Sequence, residues 1–269
     1  GEGAGLRFLC EAARAPALGA VKKQGLAKWP KAKFVEYEPV KSDNALEGAK
    51  LAFGQALEAQ PNFEKAKVVV ALDSDFLGVD ATTILPIRQF AKARQAGEPK
   101  ETELNRLYAV EANYSLTGAM ADHRLRMKSS EVQAFAADLA RELGALPAGL
   151  NVLNGADQRK KFIAAVAKDL KANAGKSVVV AGPRQPAAVH ALALLINEKL
   201  GNNGVTVTFA KSDYEGPSAA ALAGLADEIA KGAVQTLVIL GGNPVYAAPA
   251  NLQIEANIKK VPVSIHLGA

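Results

Sequence analysis

Near the end of the chain runs Val234-Gln-Thr-Leu-Val-Ile-Leu-Gly-Gly-Asn-Pro-Val-Tyr-Ala-Ala-Pro249, and the expected architecture follows from it. Thr236 to Leu240 is a short apolar, β-branched run, the pattern of a strand buried on both faces of a parallel sheet. It stops at Gly241-Gly242, where the absence of Cβ atoms lets the chain turn sharply and brings backbone amides close to a ligand or a neighbouring element. Asn243-Pro244 sets a rigid turn, and Asn251 to Lys260 reads as a helix. In an open parallel sheet, ligands bind at the carboxyl ends of the strands, where this loop falls. A plain strand-to-helix turn accounts for the same residues.

Strands and helices alternate along the rest of the chain. Leu6 to Cys10, Lys33 to Glu38, Val68 to Leu72 and Leu107 to Glu111 read as strands in the first half. Helices are expected at Glu11 to Gln24, from a cap at Ser42 or Asp43 to Phe53, at Thr83 to Ala96 and at Glu131 to Leu143. The second half repeats the rhythm, with strands Val178 to Ala181, Val205 to Phe209, Thr236 to Leu240 and Val263 to His266. Between them lie helices Ala156 to Ala172, Ala187 to Leu200 and Ala219 to Ala230. This spacing predicts βαβ units and an α/β fold of two doubly wound, parallel-sheet, Rossmann-like domains. The Gly/Pro/Ala-rich stretch at 144–150 suggests a boundary, giving a first domain 1–148 and a second, 149–269.

The 269 residues suffice for two such units, and 49% hydrophobic with 22% charged residues is a globular composition. No apolar run reaches the ~18 residues of a membrane span, so direct insertion is not expected. A net charge of +5, with lysines scattered through helical patterns, argues against nucleic acid as a partner. One cysteine, Cys10, excludes an internal disulfide, a Cys-rich zinc site and an iron–sulfur cluster within these residues. The chain opens on Gly1 without a leader, which reads as a soluble piece of a longer protein.

Several strings then point to a family. Leu240-Gly-Gly-Asn-Pro with Pro249, Ser177 to Gly204 ending in Leu200-Gly-Asn-Asn-Gly204, and Arg106 to Glu111 followed by Thr117-Gly-Ala-Met-Ala-Asp122 resemble nucleotide-binding domains of the molybdopterin oxidoreductase family. More narrowly, Gly5-Leu-Arg-Phe-Leu9, Tyr37-Glu-Pro-Val40, Asp43-Asn-Ala45, Gly48 to Gly54, Asp75-Phe-Leu-Gly78 and Leu116 to Leu125 resemble the iron–sulfur subunit of alternative complex III, also labelled hydrogenase-like. The resemblance implies a respiratory, quinol-oxidising electron-transfer complex. Iron–sulfur clusters would lie elsewhere in the protein, a cluster-bearing domain and other subunits would be partners, and the full protein would be exported and membrane-associated on the periplasmic face. In that family the first unit carries a Gly-x-Asn-Pro loop after its central strand. Here Leu72-Asp-Ser-Asp-Phe76 stands there, and two carboxylates repel a pyrophosphate by about 1 kcal/mol per close pair in water. The resemblance therefore implies a retained scaffold, architectural and cofactor-free, whose molybdopterin has been lost. The alternative is a guanine dinucleotide or other nucleotide still held by Gly241, Gly242, Asn243 and Pro244, in an active oxidoreductase.

Individual residues leave further options. Gly182-Pro-Arg-Gln-Pro186 places Gly182 and Arg184 where an anion at a helix N-terminus would sit. Asp73 and Asp75 suit a carboxylate pair or a divalent-metal foothold lacking a third ligand, or else capping and solvated loop acids. Asp122-His123-Arg124 could form a proton relay or a structural hydrogen-bonded cluster. His190, His266 and Cys10 read as packing or capping residues, and Arg159-Lys-Lys161 as a solvated helix face. Ser129, Ser130 and Ser218 lack a nucleophile-elbow setting, so no catalytic residue is assigned.

Overall fold

The computed structural model describes residues 1–13, 15–39, 43–95, 104–147, 159–211 and 219–268. In chain order the elements are β1 (Leu6–Cys10), α1 (Pro16–Lys28), β2 (Lys33–Glu36), α2 (Asn44–Phe53), β3 (Leu57–Pro61), β4 (Val68–Leu72), α3 (Leu85–Ala93) and β5 (Arg106–Glu111). Then come α4 (Leu116–Ala119), β6 (His123–Arg126), α5 (Val132–Glu142), α6 (Lys160–Ala172), β7 (Ser177–Ala181), α7 (Ala187–Lys199) and β8 (Val207–Lys211). The chain closes with α8 (Ala219–Ala230), β9 (Thr236–Leu240), α9 (Pro244–Ala247), α10 (Ile254–Ile258) and β10 (Val263–Leu267). The fold is α/β, built on two four-stranded parallel sheets.

Contacts divide the chain into a split unit, Gly1–Ser42 with Tyr214–Ala269, and a continuous unit, Asp43–Asp213. The expected boundary at 148/149 lies outside the described residues. Sheet pairing nonetheless joins residues from its two sides, β4 with β7 and β1 with β9. The units are thus nested in sequence and not consecutive, and the Gly/Pro-rich stretch falls between α5 and α6 of one unit.

In the continuous unit the strands run in the order β6-β5-β4-β7. Every residue of β4 is buried, which is why Val68-Val-Val-Ala-Leu72 shows no alternation. One face of the strand (Val68, Val70, Leu72) packs on Phe135 and Leu139 of α5, Val166 and Leu170 of α6, and Ile196 of α7. The other face (Val69, Ala71) meets Phe63, Phe76 and Phe90, with the Phe63 and Phe76 rings stacked 4.2 Å apart. Burying each such aliphatic side chain is worth roughly 1.5–3 kcal/mol, so this double-sided layer fixes the strand ends in place. At the amino end of β7, Asn202 donates to the Ser177 hydroxyl (3.0 Å) and to Asn197 Oδ1 (3.0 Å), and Thr206 donates to the Ser177 carbonyl (2.5 Å). Leu200-Gly-Asn-Asn-Gly204 therefore serves a buried polar knot at the end of the sheet opposite the strand-end loops.

β8 does not join this sheet. It pairs antiparallel with β3, Leu57-Glu-Ala-Gln-Pro61, a short strand without β-branched or aromatic residues.

The split unit orders its strands β10-β9-β1-β2. Leu9, Val35, Leu237 and Ile239 form a core with Leu222, Leu225 and Ile229 of α8. Only Leu237 and Ile239 of β9 are fully buried, while Thr236, Val238 and Leu240 are half-buried, so the expectation of a strand buried on both faces is corrected. The expected helix over 251–260 is broken into a 3-10 turn, Ala250–Leu252, and the short α10, separated by Gln253 at φ 47°. Arg7, 5% exposed, is neutralised by Glu228 at 2.5 Å.

Candidate functional site

Strand order reverses between β4 and β7 in the continuous unit, and the loops after Leu72 and Ala181 leave the carboxyl end of the sheet side by side, Gly182 N–H donating to the Leu72 carbonyl (2.9 Å). Three carboxylates of the protein fill that end. Asp73, held at φ 51°, accepts the Ala112 N–H at Oδ1 (3.1 Å), and at Oδ2 the Ser129 hydroxyl (2.7 Å) and the Gln185 amide (2.7 Å). Asp75, 9% exposed, accepts the Thr117 N–H and hydroxyl at Oδ1 (2.9 Å each) and the Val79 N–H at Oδ2 (2.9 Å). Glu111, 4% exposed, accepts the Ser115 hydroxyl (2.5 Å) and the Arg124 guanidinium (2.5 Å).

The backbone is shaped to these acids. A Cβ on Gly118 would lie 1.8 Å from Glu111 Oε1, and one on Gly78 would lie 2.3 Å from Asp75 Oδ2. Burial pushes the Asp75 carboxyl up, but hydrogen bonds from the Thr117 and Val79 amides and the Thr117 hydroxyl outweigh it and hold the group below its ordinary value. Asp75 thus stays charged and ties two loops together, and a second strut runs from the Leu77 N–H to Thr117 Oγ1 (3.1 Å). The same loops expose Val79 (79%), Leu116 (62%) and Met120 (53%).

Of the two alternatives for Asp73 and Asp75, the carboxylate pair does not form: they turn to separate partners, Asp75 buried and Asp73 half-buried. Gly182 is buried, and a Cβ there would lie 1.8 Å from the Asp73 carbonyl oxygen, so the close approach of these two strand-end loops requires glycine. Arg184 turns to Asp80 (3.4 Å). Asp122, His123 and Arg124 also part company. Asp122 takes a bidentate pair from Arg94 (2.8 Å each), His123 stacks on Tyr108 (4.8 Å), and Arg124 goes to Glu111. His190 lies in α7 with Nε2 buried and unpaired; burial drives its pKa down to about 4, partly offset by backbone hydrogen bonds at Gly182 and Gln185. Arg159 is ion-paired with Glu131 at 3.0 Å. Ser42 and Ser218 lie outside the described residues.

In the split unit the reversal falls between β1 and β9, where Gly241 (φ 76°) and Gly242 (φ 65°) turn the chain. The Glu11 carboxylate lies over both glycines, its oxygens 2.8 and 3.0 Å from the positions their Cβ atoms would take. Asn243 caps α9 by accepting the Tyr246 N–H (3.1 Å), and Pro244 occupies the first turn. His266 Nε2 meets the Gly242 carbonyl at 2.9 Å. Cys10 is 4% exposed, and burial raises its thiol pKa. Of the residues that the sequence did not bring into the site, Ser129, Gln185, Thr117 and Glu11 carry no local signal, because each acts on a partner distant in the chain, whereas Ser115 acts locally, on Glu111 and as the cap of α4.

Among the described residues no helix is long and apolar enough to cross a membrane, and no cluster of three or more His, Cys, Asp or Glu side chains is placed to hold a metal ion. No family model matches the sequence, and no curated protein matches it. Among solved structures, the chain is similar to one from the formyltransferase/hydrolase complex FhcABCD of Methylorubrum extorquens, crystallised with methylofuran. The identity is 15% and the TM-score 0.55, over 99% of this chain and 80% of that one. These findings overturn the reading of the chain as a molybdopterin-oxidoreductase-like, hydrogenase-like iron–sulfur subunit of a respiratory quinol-oxidising complex: the likeness leads to a formyltransferase/hydrolase complex, and at this identity it carries the α/β fold alone.

Proposed function

We propose that this chain is a non-catalytic α/β subunit of a multi-subunit assembly, its strand-end crevices filled by its own carboxylates and its strand-end loops turned to partner binding. The order β6-β5-β4-β7, with different helices on the two faces, supports a doubly wound, Rossmann-like continuous unit. The order β10-β9-β1-β2 supports the same for the split unit. Such sheets offer a ligand the crevice at the reversal point, and here Asp73, Asp75 and Glu111 take up the donors an anionic ligand would use. The protein it resembles in fold works within a complex of several subunits.

The observation that carries the reading is Asp75. A charged, buried carboxylate spends its lone pairs on bracing two loops whose outward side chains, Val79, Leu116 and Met120, are apolar and exposed. Apolar side chains on a braced surface beside a filled crevice suit docking to another protein. The test is Leu116→Glu with Met120→Glu in the native host. The parent chain should elute with defined partner subunits, well above its own 28.0 kDa, and the variant should elute alone with an unchanged unfolding transition. A parent chain that elutes alone, or a variant that keeps its partners, refutes the reading.

A further inference from the structure

The sheet of the split unit ends on β10, Val263-Ser-Ile-His-Leu267, and every residue of that strand is exposed. Its parallel register on β9 fixes which way its backbone points. The Val263 N–H donates to the Gln235 carbonyl (3.1 Å) and the Leu267 carbonyl accepts the Gly241 N–H (2.9 Å), so Val263, Ile265 and Leu267 turn their peptide groups inward. Ser264 and His266 turn theirs outward, where no backbone hydrogen bond among the described residues meets them. The side chains of Val263, Ile265 and Leu267 share one face of the sheet with Val238 and Leu240 and are 48%, 53% and 70% exposed. Open edges are ordinarily guarded by charge, proline or a covering element. The edge strand β6 of the other sheet reads His123-Arg-Leu-Arg126, and β2, at the far edge of this one, carries Lys33 and Glu36. Between Val263 and Leu267 there is no Lys, Arg, Asp, Glu or Pro.

We propose that β10 is the seam of a homodimer, paired antiparallel with β10 of a second copy about a two-fold axis at Ile265. A two-fold contact sets each residue counted forward from the axis against the one counted back. The strand suits that operation because it reads alike in both directions: apolar, polar, apolar, polar, apolar. Ile265 then faces its own copy as a non-hydrogen-bonded pair, and Val263 faces the partner's Leu267. Ser264 exchanges both backbone hydrogen bonds with the partner's His266, and these are the two residues whose peptide groups point outward. All three apolar side chains of each copy thereby find apolar partners on one face, the unit that stabilises paired strands. Sliding the pairing by two residues would set the two His266 rings on each other and leave Val263 without an apolar partner. The result is one eight-stranded sheet, β2-β1-β9-β10 continued by the same order reversed. The seam lies in the split unit and Val79, Leu116 and Met120 in the continuous one, so loss of other subunits there leaves this dimer intact.

The test follows the mass of the purified full chain by sedimentation as its concentration is raised. The seam is small, so a Kd on the order of 10 μM is expected, the mass rising from 28.0 kDa toward twice that value. Ile265→Lys places two ammonium groups face to face at the axis and should weaken association at least about tenfold, with the unfolding transition unchanged because the side chain is exposed. Mild oxidation reads the register. Ile265→Cys brings two Cα atoms to about 4.5 Å, within disulfide reach, whereas Leu267→Cys leaves them four residues out of step, roughly 13 Å apart. The first should cross-link to itself and the second should not, with the parent chain reporting any background from the buried Cys10. A chain still monomeric at about 200 μM, or Ile265→Lys associating like the parent, overturns the assignment. So does Leu267→Cys linking as readily as Ile265→Cys, or a different polypeptide trapped on Ile265→Cys in the native host.

Discussion

Replacing Asp75 with alanine tests whether the strand-end acids are structural struts. The change leaves the Thr117 N–H, the Thr117 hydroxyl and the Val79 N–H without their acceptor. Thr117 is fully buried at 0% exposure, so its amide bears the whole desolvation cost, about 1–3 kcal/mol, whereas the hydroxyl can rotate and exposed Val79 can turn its amide toward water. Adding the lost charge-assisted bonds gives an expected loss of about 3–5 kcal/mol, a large part of the 5–15 kcal/mol typical of a folded domain. Asp75→Asn keeps one oxygen for Thr117 and should lose only about 1–2 kcal/mol. The sign with pH follows from the depressed carboxyl: its contribution is complete above the ordinary value of 3.8 and is lost as pH falls through the lower folded-state value. Urea unfolding followed by circular dichroism, at neutral pH and then in steps below about pH 4, reads both effects. A parent-to-alanine gap under about 1 kcal/mol at neutral pH, or one that does not shrink in acid, would refute the reasoning.

His190 should make stability fall as pH drops. Its folded pKa of about 4 lies below the ordinary 6.5, so the unfolded chain takes the proton first, and between pH 7 and 5 the loss is about 2 kcal/mol. In His190→Leu, urea midpoints at the two pH values should converge; an unchanged slope would assign the effect to other groups. Gly182→Ala sets a Cβ 1.8 Å from the Asp73 carbonyl oxygen, and backbone cannot swing aside as a side chain can. It should cost about 3 kcal/mol or more, and a melting temperature within a degree or two of the parent's would show the reversal point to be roomier than described.

What the sequence disclosed follows from the range of the forces involved. β4, α8 and β9 match their expected bounds, since a continuous apolar run or an Ala/Leu-rich period is written in neighbouring residues. β3 was illegible because Leu57-Glu-Ala-Gln-Pro61 alternates over only five residues and holds none of the β-branched or aromatic types that favour strands; its ladder with β8, about 150 residues on, makes it one. Nesting of the units was hidden for the same reason. Nothing local to Leu6 to Cys10 says that its sheet partner is Thr236 to Leu240.

The strand-end loops show why family-like strings misled. A parallel strand that must turn at once into a helix favours glycines at positive φ, an Asn cap and a proline in the first turn. Gly241 to Pro244 meets those demands whether or not a ligand is present, so the string reports a backbone manoeuvre. The acids after β4 were more informative. Asp73 and Asp75 stood out as misplaced for a phosphate, yet their roles depend on Ser129, Thr117 and Gln185, which lie 56, 42 and 112 residues away along the chain. A carboxylate at a strand end therefore announces which ligands are unwelcome long before it reveals what it holds. Only the converging side chains distinguish the strut at Asp75, held by the Thr117 and Val79 amides, from Asp73, which the Ser129 hydroxyl and the Gln185 amide hold from segments far along the chain.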